Sequence, residues 1–237
     1  MPGTPRGRRE VFDDFEMENV ATSAADGVRW FNSIDTSNTV LIGQFLNTDA
    51  CEINLDATDN DMSEIAHALL AWRAQDGELG MEVRFQADVI TNLAFNIGFN
   101  DDALEDSNTL PVELSTLTFT TNSSTWFGVV FDVDATNDDF HAFWVDDDSD
   151  STTAIATLRF TTPAMVAARW FTVRVVLYDQ GAGNQCRGEI SIIDEETGSM
   201  GQKTFASTID RDALLTPHVG VENRSASAHI VTLDYIH

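Results

Sequence analysis

Cysteine, lysine and long apolar runs are what this sequence of 237 residues has least of. Its two cysteines, Cys51 and Cys186, stand far apart and outside any CxxC spacing, which argues against a disulfide framework or a zinc site and for two unrelated thiols. Lys203 is the sole lysine, and 13 basic residues face 39 acidic ones, for a formal charge of -26. A field of that sign repels nucleic acid and anionic lipid, so neither a nucleic-acid nor a membrane partner is expected. No apolar run approaches the length of a membrane span. Met1 to Glu10 carries arginines with no apolar stretch behind them, so a signal peptide is not expected, and synthesis in the cytoplasm is. A chain of this length buries on the order of 70 % of its unfolded surface and needs no disulfide or metal staple.

What the sequence does have is alternation. The stretch Trp126 to Asp150 is dense in aromatic and β-branched residues on either side of a polar segment, Ala135 to Asp139, and reads as a β-hairpin. Phe127, Val129, Phe131 and Val133 share one face by the period-2 rule, while Trp126 and Val130 load the other. The spacing therefore predicts a central strand covered on both sides. Met81 to Val89 and Leu93 to Phe99 alternate as strictly and predict a second hairpin, turning at Thr91-Asn92, with one wet face. Further strands are expected at Val11 to Phe15, Thr39 to Leu46, Ala154 to Phe160 and Phe171 to Tyr178. Two more hairpins are expected, Gly188–Asp194 with Gln202–Ala206, and Val219–Glu222 with His229–Ile236. Asp61 and Glu64 have capping-box spacing ahead of Met62, Ile65, Ala66 and Leu69, which favours a short helical turn, although Ala68 to Trp72 reads equally as a buried strand. A helical turn is expected at Asp210 to Leu215, before Pro217. The pattern is all-β: an antiparallel two-sheet β-sandwich over 11–237, preceded by a flexible basic arm at 1–10.

Chemistry is sparse. Gly181-Ala182-Gly183 lacks the third glycine and the following helix of a dinucleotide site. Asp132, Asp134 and Asp138 have the spacing of oxygen-ligand loops and are the candidate Ca²⁺ ligands, with Asp146, Asp148 and Asp150 on the facing arm. An EF-hand is excluded, because Asn137 and Phe143 stand where it needs Gly and Glu. Glycoside hydrolysis needs two carboxylates about 5–9 Å apart across a groove. Glu189 and Asp194 have the wrong parity, and Asp132 with Asp134 has the right parity but no third partner. His67, His141, His218, His229 and His237 have no ligand-spaced neighbours and read as surface or strand residues, so a non-enzymatic role is expected. Five tryptophans could stack on sugar rings, yet beside fifteen phenylalanines most are expected in the core.

Three segments carry a resemblance: Phe12-Asp13-Asp14-Phe15, Trp170 to Asp179 with its Gly-bearing loop, and Val219 to Asn223 with Leu233-Asp234-Tyr235-Ile236. Together they resemble concanavalin A-like, laminin-G-type jelly rolls. That likeness implies that Phe12 to Phe15 lies beside Leu233 to Ile236. Jelly rolls of this plainness also resemble the accessory proteins of tailed-phage virions, the capsid decoration or cement proteins. That second resemblance implies a homo-oligomer, commonly a trimer, on the outside of a capsid, with the major capsid protein as partner and the virion surface as location. Arg6, Arg8 and Arg9 would then form the attachment arm. The alternative is a lectin-like carbohydrate-binding module, with Ca²⁺ as its candidate cofactor, and the third reading a glucanase-like hydrolase.

Overall fold

The structure, a computed structural model, describes residues 12–15, 30–34, 38–42, 50–67, 72–102, 109–150 and 155–237. Its strands in chain order begin with β1 (Trp30–Ile34), β2 (Thr39–Ile42), β3 (Cys51–Leu55) and β4 (Met62–His67). There follow β5 (Leu79–Ala87), β6 (Leu93–Asn100), β7 (Val112–Ser115), β8 (Thr118–Thr121), β9 (Trp126–Asp132), β10 (His141–Asp146) and β11 (Ser149–Asp150). The last five are β12 (Phe171–Tyr178), β13 (Arg187–Asp194), β14 (Ser199–Ala206), β15 (Thr216–Asn223) and β16 (His229–Ile236). A 3-10 turn at Ala74–Asp76 and one α-helical turn, α1 (Ile155–Leu158), interrupt them among the described residues.

These strands build two seven-stranded antiparallel sheets, β1-β4-β15-β6-β9-β10-β11 and β14-β13-β12-β5-β16-β3-β2, with β7 and β8 as a separate pair. The inward faces meet in one core. Phe95 stacks on Phe131 at 5.0 Å and meets Phe85 across the sandwich at 5.2 Å. Each such pair contributes about 0.5–1.5 kcal/mol beyond its buried area. Trp30, Trp126 and Trp144 are buried and both thiols are free and buried, as expected. Asp13 and Ile236 exchange two backbone hydrogen bonds of 3.0 and 2.9 Å, so the first described segment does lie beside the last strand.

The second sheet has one wet face: β5 alternates buried and part-exposed residues along its whole length. The first sheet does not. Strands β4, β6 and β9 are buried at every position. Cover on both sides was expected of β9, whereas β6 was expected to keep a wet face and loses it beneath the β7–β8 hairpin. The β7–β8 hairpin lies over the outer face of β6, β9 and β10. The Asn96 side-chain amide donates to the Val112 carbonyl at 2.9 Å and accepts from the Val112 amide at 2.8 Å. Phe119 stacks on Phe143 at 4.1 Å.

Several expectations are corrected. Leu93 to Asn100 does not pair with Leu79 to Ala87, since β5 belongs to the second sheet and β6 to the first. The connection through Asp88 to Asn92 is an arch between sheets. The closing β15 and β16 part in the same way. Met62 to His67 is a strand, because pairing with β1 and β15 satisfies its backbone and buries all six residues; no capping box forms. Ile155 to Leu158 is a helical turn where a strand was expected. Asp210 to Leu215 is a plain turn ending in a bridge to Trp72. His67, His141, His218 and His229 are strand residues, but each is buried. The arm with Arg6, Arg8 and Arg9, and the stretches 43–46 and 68–71, lie outside the described residues.

Candidate functional site

The loop between β9 and β10 carries the expected Ca²⁺ ligands, and the structure disperses them. Asp132 ends β9 on the outer face and is 1 % exposed. Its carboxylate accepts from the Leu114 amide at 3.1 Å, from the Asp134 amide at 3.0 Å, and from Arg224 Nε and Nη2 at 3.2 and 2.7 Å. Both oxygens are therefore committed to a fork-to-fork ion pair. Asp134 is exposed, 3.8 Å from Arg224 Nε, and Asp138 is exposed. The neighbouring Asp139 is buried and pairs with Arg159. The two buried carboxylates of this loop thus each face a guanidinium. The three candidates do not converge on a common point.

The same loop forms one wall of a small, shallow pocket of about 60 Å³ that opens to solvent. Ala135 and Asn137 supply that wall, Thr116 and Leu117 at the tip of the β7–β8 hairpin supply the second, and Ala156 and Arg159 the third. The tip is fastened to the loop by two backbone bonds of 2.7 Å, from the Thr116 amide to the Asp134 carbonyl and from the Thr136 amide to the Thr116 carbonyl. Thr116 has a φ of 57°, a conformation that costs a β-branched residue energy and that tends to persist where surrounding contacts enforce it. Leu117 is 56 % exposed at the rim. His141 lines the pocket from β10, and its buried Nδ1 makes no hydrogen bond. Burial pushes its imidazole down to about 4 against the opposing Asp139, and Arg159 and Lys203 lower it further, so it is neutral at physiological pH.

A charged cluster stands behind the pocket. Arg224, at the end of β15, pairs with Asp132, with Glu222 on its own strand and, at 3.7 Å, with Glu113 on β7. Burial disfavours the charged guanidinium, but hydrogen bonds with Asp132 and the charges of Asp132, Glu222 and Glu113 outweigh it and keep it protonated. Burial pushes the Glu222 carboxyl up to about 8, with Arg224 opposing and Glu113 and Asp132 reinforcing.

Among the described residues, three carboxylates that could share a cation are Asp146, Asp147 and Asp210, whose oxygens lie within 4.8 Å of one another. Burial raises the Asp146 carboxyl to about 6, as do the charges of Asp210 and Asp147, while hydrogen bonds from the Asp210 backbone and Thr125 side chain oppose it. Asp146 and Asp147 belong to the acidic rim visible in the sequence. Asp210, Arg159, Glu222 and Arg224 carried no signal there, because only the sheet pairing brings them in.

No family model matches the sequence, and no curated protein matches it in sequence. Solved structures do match the fold. The carbohydrate recognition domain of Emp46p in its potassium-bound form superposes with a TM-score of 0.57 at 10 % identity, over 94 % of this chain and 93 % of that one. Peanut lectin, solved with a nine-residue peptide, gives 0.56 at 13 % identity, over 95 % of each chain. A protein of unknown function from Shewanella oneidensis MR-1 gives 0.54 at 14 % identity, over 95 % of this chain and 83 % of that one. The fold is a lectin-like jelly roll of the concanavalin A type. The likeness to jelly rolls read from Phe12–Phe15, Trp170–Asp179 and the last two strands therefore stands.

Proposed function

We propose that this protein is a carbohydrate-binding module and that the shallow pocket between the β7–β8 tip, the β9–β10 loop and α1 takes the edge of a sugar whose body lies on the surrounding surface. The observation that carries the reading is the composition of that pocket on a lectin-like frame. A sugar presents hydroxyls around its edge and C–H groups on its faces. Asn137 offers a donor and an acceptor, Thr116 a hydroxyl and Arg159 a guanidinium, while Leu117, Ala135 and Ala156 supply apolar surface. A binding role also accords with the carboxylates: Glu189 is part-exposed on β13 whereas Asp194 is buried, and Asp132 is held by Arg224. The capsid-decoration reading ranks below this one. Its arm, Arg6, Arg8 and Arg9, lies outside the described residues, whereas two of the structures named above are a lectin and a carbohydrate recognition domain.

A glycan array probed with the wild type and with Asn137→Ala tests the proposal. The wild type should retain a defined set of glycans, and the variant should lose about tenfold in affinity, the worth of one or two lost hydrogen bonds. Retention of no glycan, or equal retention by both proteins, would sink it. Calcium enters as a second arm. If Asp146, Asp147 and Asp210 hold the ion, millimolar Ca²⁺ should raise the melting temperature of the wild type and leave that of Asp210→Asn unchanged. The gain should shrink below pH 6, where Asp146 takes up a proton.

A further inference from the structure

Glu222 is the unexplained group on the covered face. Its side chain is 3 % exposed, and Oε2 makes no hydrogen bond. Every element around it can be named. Arg224 follows it at the end of β15, Asp132 faces it from β9 and Glu113 from β7, while Asp134 lies beyond the guanidinium. The Leu110 backbone also faces it and opposes the rise of its carboxyl. Met62 on β4 and Ala94 on β6, its register partners, are uncharged. Elsewhere on that face Glu64 pairs with His218, whose Nε2 lies 2.7 Å from Oε2 of the carboxyl. One guanidinium thus serves four carboxylates, and one of these, Glu113, belongs to the hairpin that covers the face.

That hairpin is not laddered into either large sheet. It is held from below by Asn96, by the Leu114 amide on Asp132, by the Phe119–Phe143 stack and by the two backbone bonds at Thr116. We propose that the Arg224 cluster is a pH-released clasp, which fastens the hairpin Val112–Thr121 over the first sheet and so sets how firmly the rim of the pocket is held. This goes beyond the sugar reading and does not depend on it. A protonated Glu222 tolerates its dry site. An ionised one gains by any opening that lets water reach Oε2, and it repels Asp132 and Glu113. The carboxyl is raised to about 8 when covered and lies near the ordinary value of 4.5 when wet. The closed state is therefore favoured fully below the lower value, and that advantage is lost as pH rises towards 8. At full slope opening becomes about tenfold easier per pH unit.

Amide hydrogen exchange on the intact chain reads this directly. After correction for intrinsic rates, protection at Val112 and Leu114 should fall at least about tenfold between pH 6 and pH 8.5. Amides of β12 and β13, remote from the cluster, should not follow. In Glu222→Gln the fall at Val112 and Leu114 should vanish. Wild-type protection that is flat with pH, or an equal fall in Glu222→Gln, would overturn the proposal. Should Glu222→Gln fail to fold, Glu113→Gln decides. Removing that charge lowers the Glu222 carboxyl and should move the loss of protection to lower pH, and an unmoved midpoint would overturn the clasp.

Discussion

Replacing Arg224 by methionine should cost about 3–5 kcal/mol, the usual penalty for breaking a buried ion pair from one side. The Arg224 side chain is 7 % exposed and that of Asp132 1 %. Without the guanidinium, Asp132 keeps only the Leu114 and Asp134 amides, at 3.1 and 3.0 Å. A carboxylate stranded there has lost its counter-charge where water cannot replace it. Domains are stable by only about 5–15 kcal/mol, so the variant should sit close to the threshold of folding. Urea unfolding gives the measurement, through a lower midpoint at unchanged slope. Asp132→Asn placed on top of Arg224→Met should recover part of the loss, because it removes the orphaned charge, and this double-mutant coupling marks the pair as the cause. Arg174 and Glu78 provide the contrast: their pair is 3.4 Å apart with both side chains about half exposed, and Arg174→Met should shift stability by less than about 0.5 kcal/mol. A loss at Arg224 no larger than that at Arg174 would refute the assignment.

The strands were legible in the sequence because alternation records burial directly. Phe171 to Tyr178 coincides with β12 residue for residue, and Gly188–Asp194 with Gln202–Ala206 forms a true hairpin. The pairing of strands was less legible, for a physical reason. A hairpin within one sheet and an arch between two sheets both turn the apolar faces of two successive runs inward. Thr91-Asn92 therefore suggested pairing that β5 and β6 do not make. Met62 to His67 misled differently: its helical spacing is real, yet β1 and β15 on either side impose a strand. The candidate site was half legible. The Asp-rich loop was visible, and the pocket does lie against it. What the sequence hid is that Arg224, 92 positions from Asp132, closes on that carboxylate. It also hid that His141 and His218 are buried, because a histidine in an alternating strand has no signature that separates a core position from a wet one.

Gly98 and Gly128 show the same limit, and alanine at either should cost about 3 kcal/mol, at the upper end of what overpacking does. In the sequence Gly98 falls on the polar side of a regular alternation, between Asn96 and Asn100, and reads as a harmless gap. In the fold it is the register partner of Gly128 across β6 and β9, two central strands of the first sheet. A Cβ on Gly98 would stand 2.2 Å from the Phe127 carbonyl oxygen, and one on Gly128 2.2 Å from that of Ile97. Both obstacles are backbone, so no side chain can swing aside. The strands themselves must separate, between the core pairs Ile97–Val129 and Phe99–Phe127. Because one separation makes room for both methyl groups, the double variant should cost clearly less than the sum of the two singles. Gly80→Ala on β5 is the control: its nearest obstacle is Val176 Cγ2 at 3.9 Å, an ordinary contact, and alanine there should be neutral or slightly stabilising. Chemical unfolding of the four variants decides between a steric and an incidental role. Alanine tolerated at Gly98 or Gly128 as easily as at Gly80 would mean that the close approach of β6 and β9 is not needed to hold the sheet that carries the pocket.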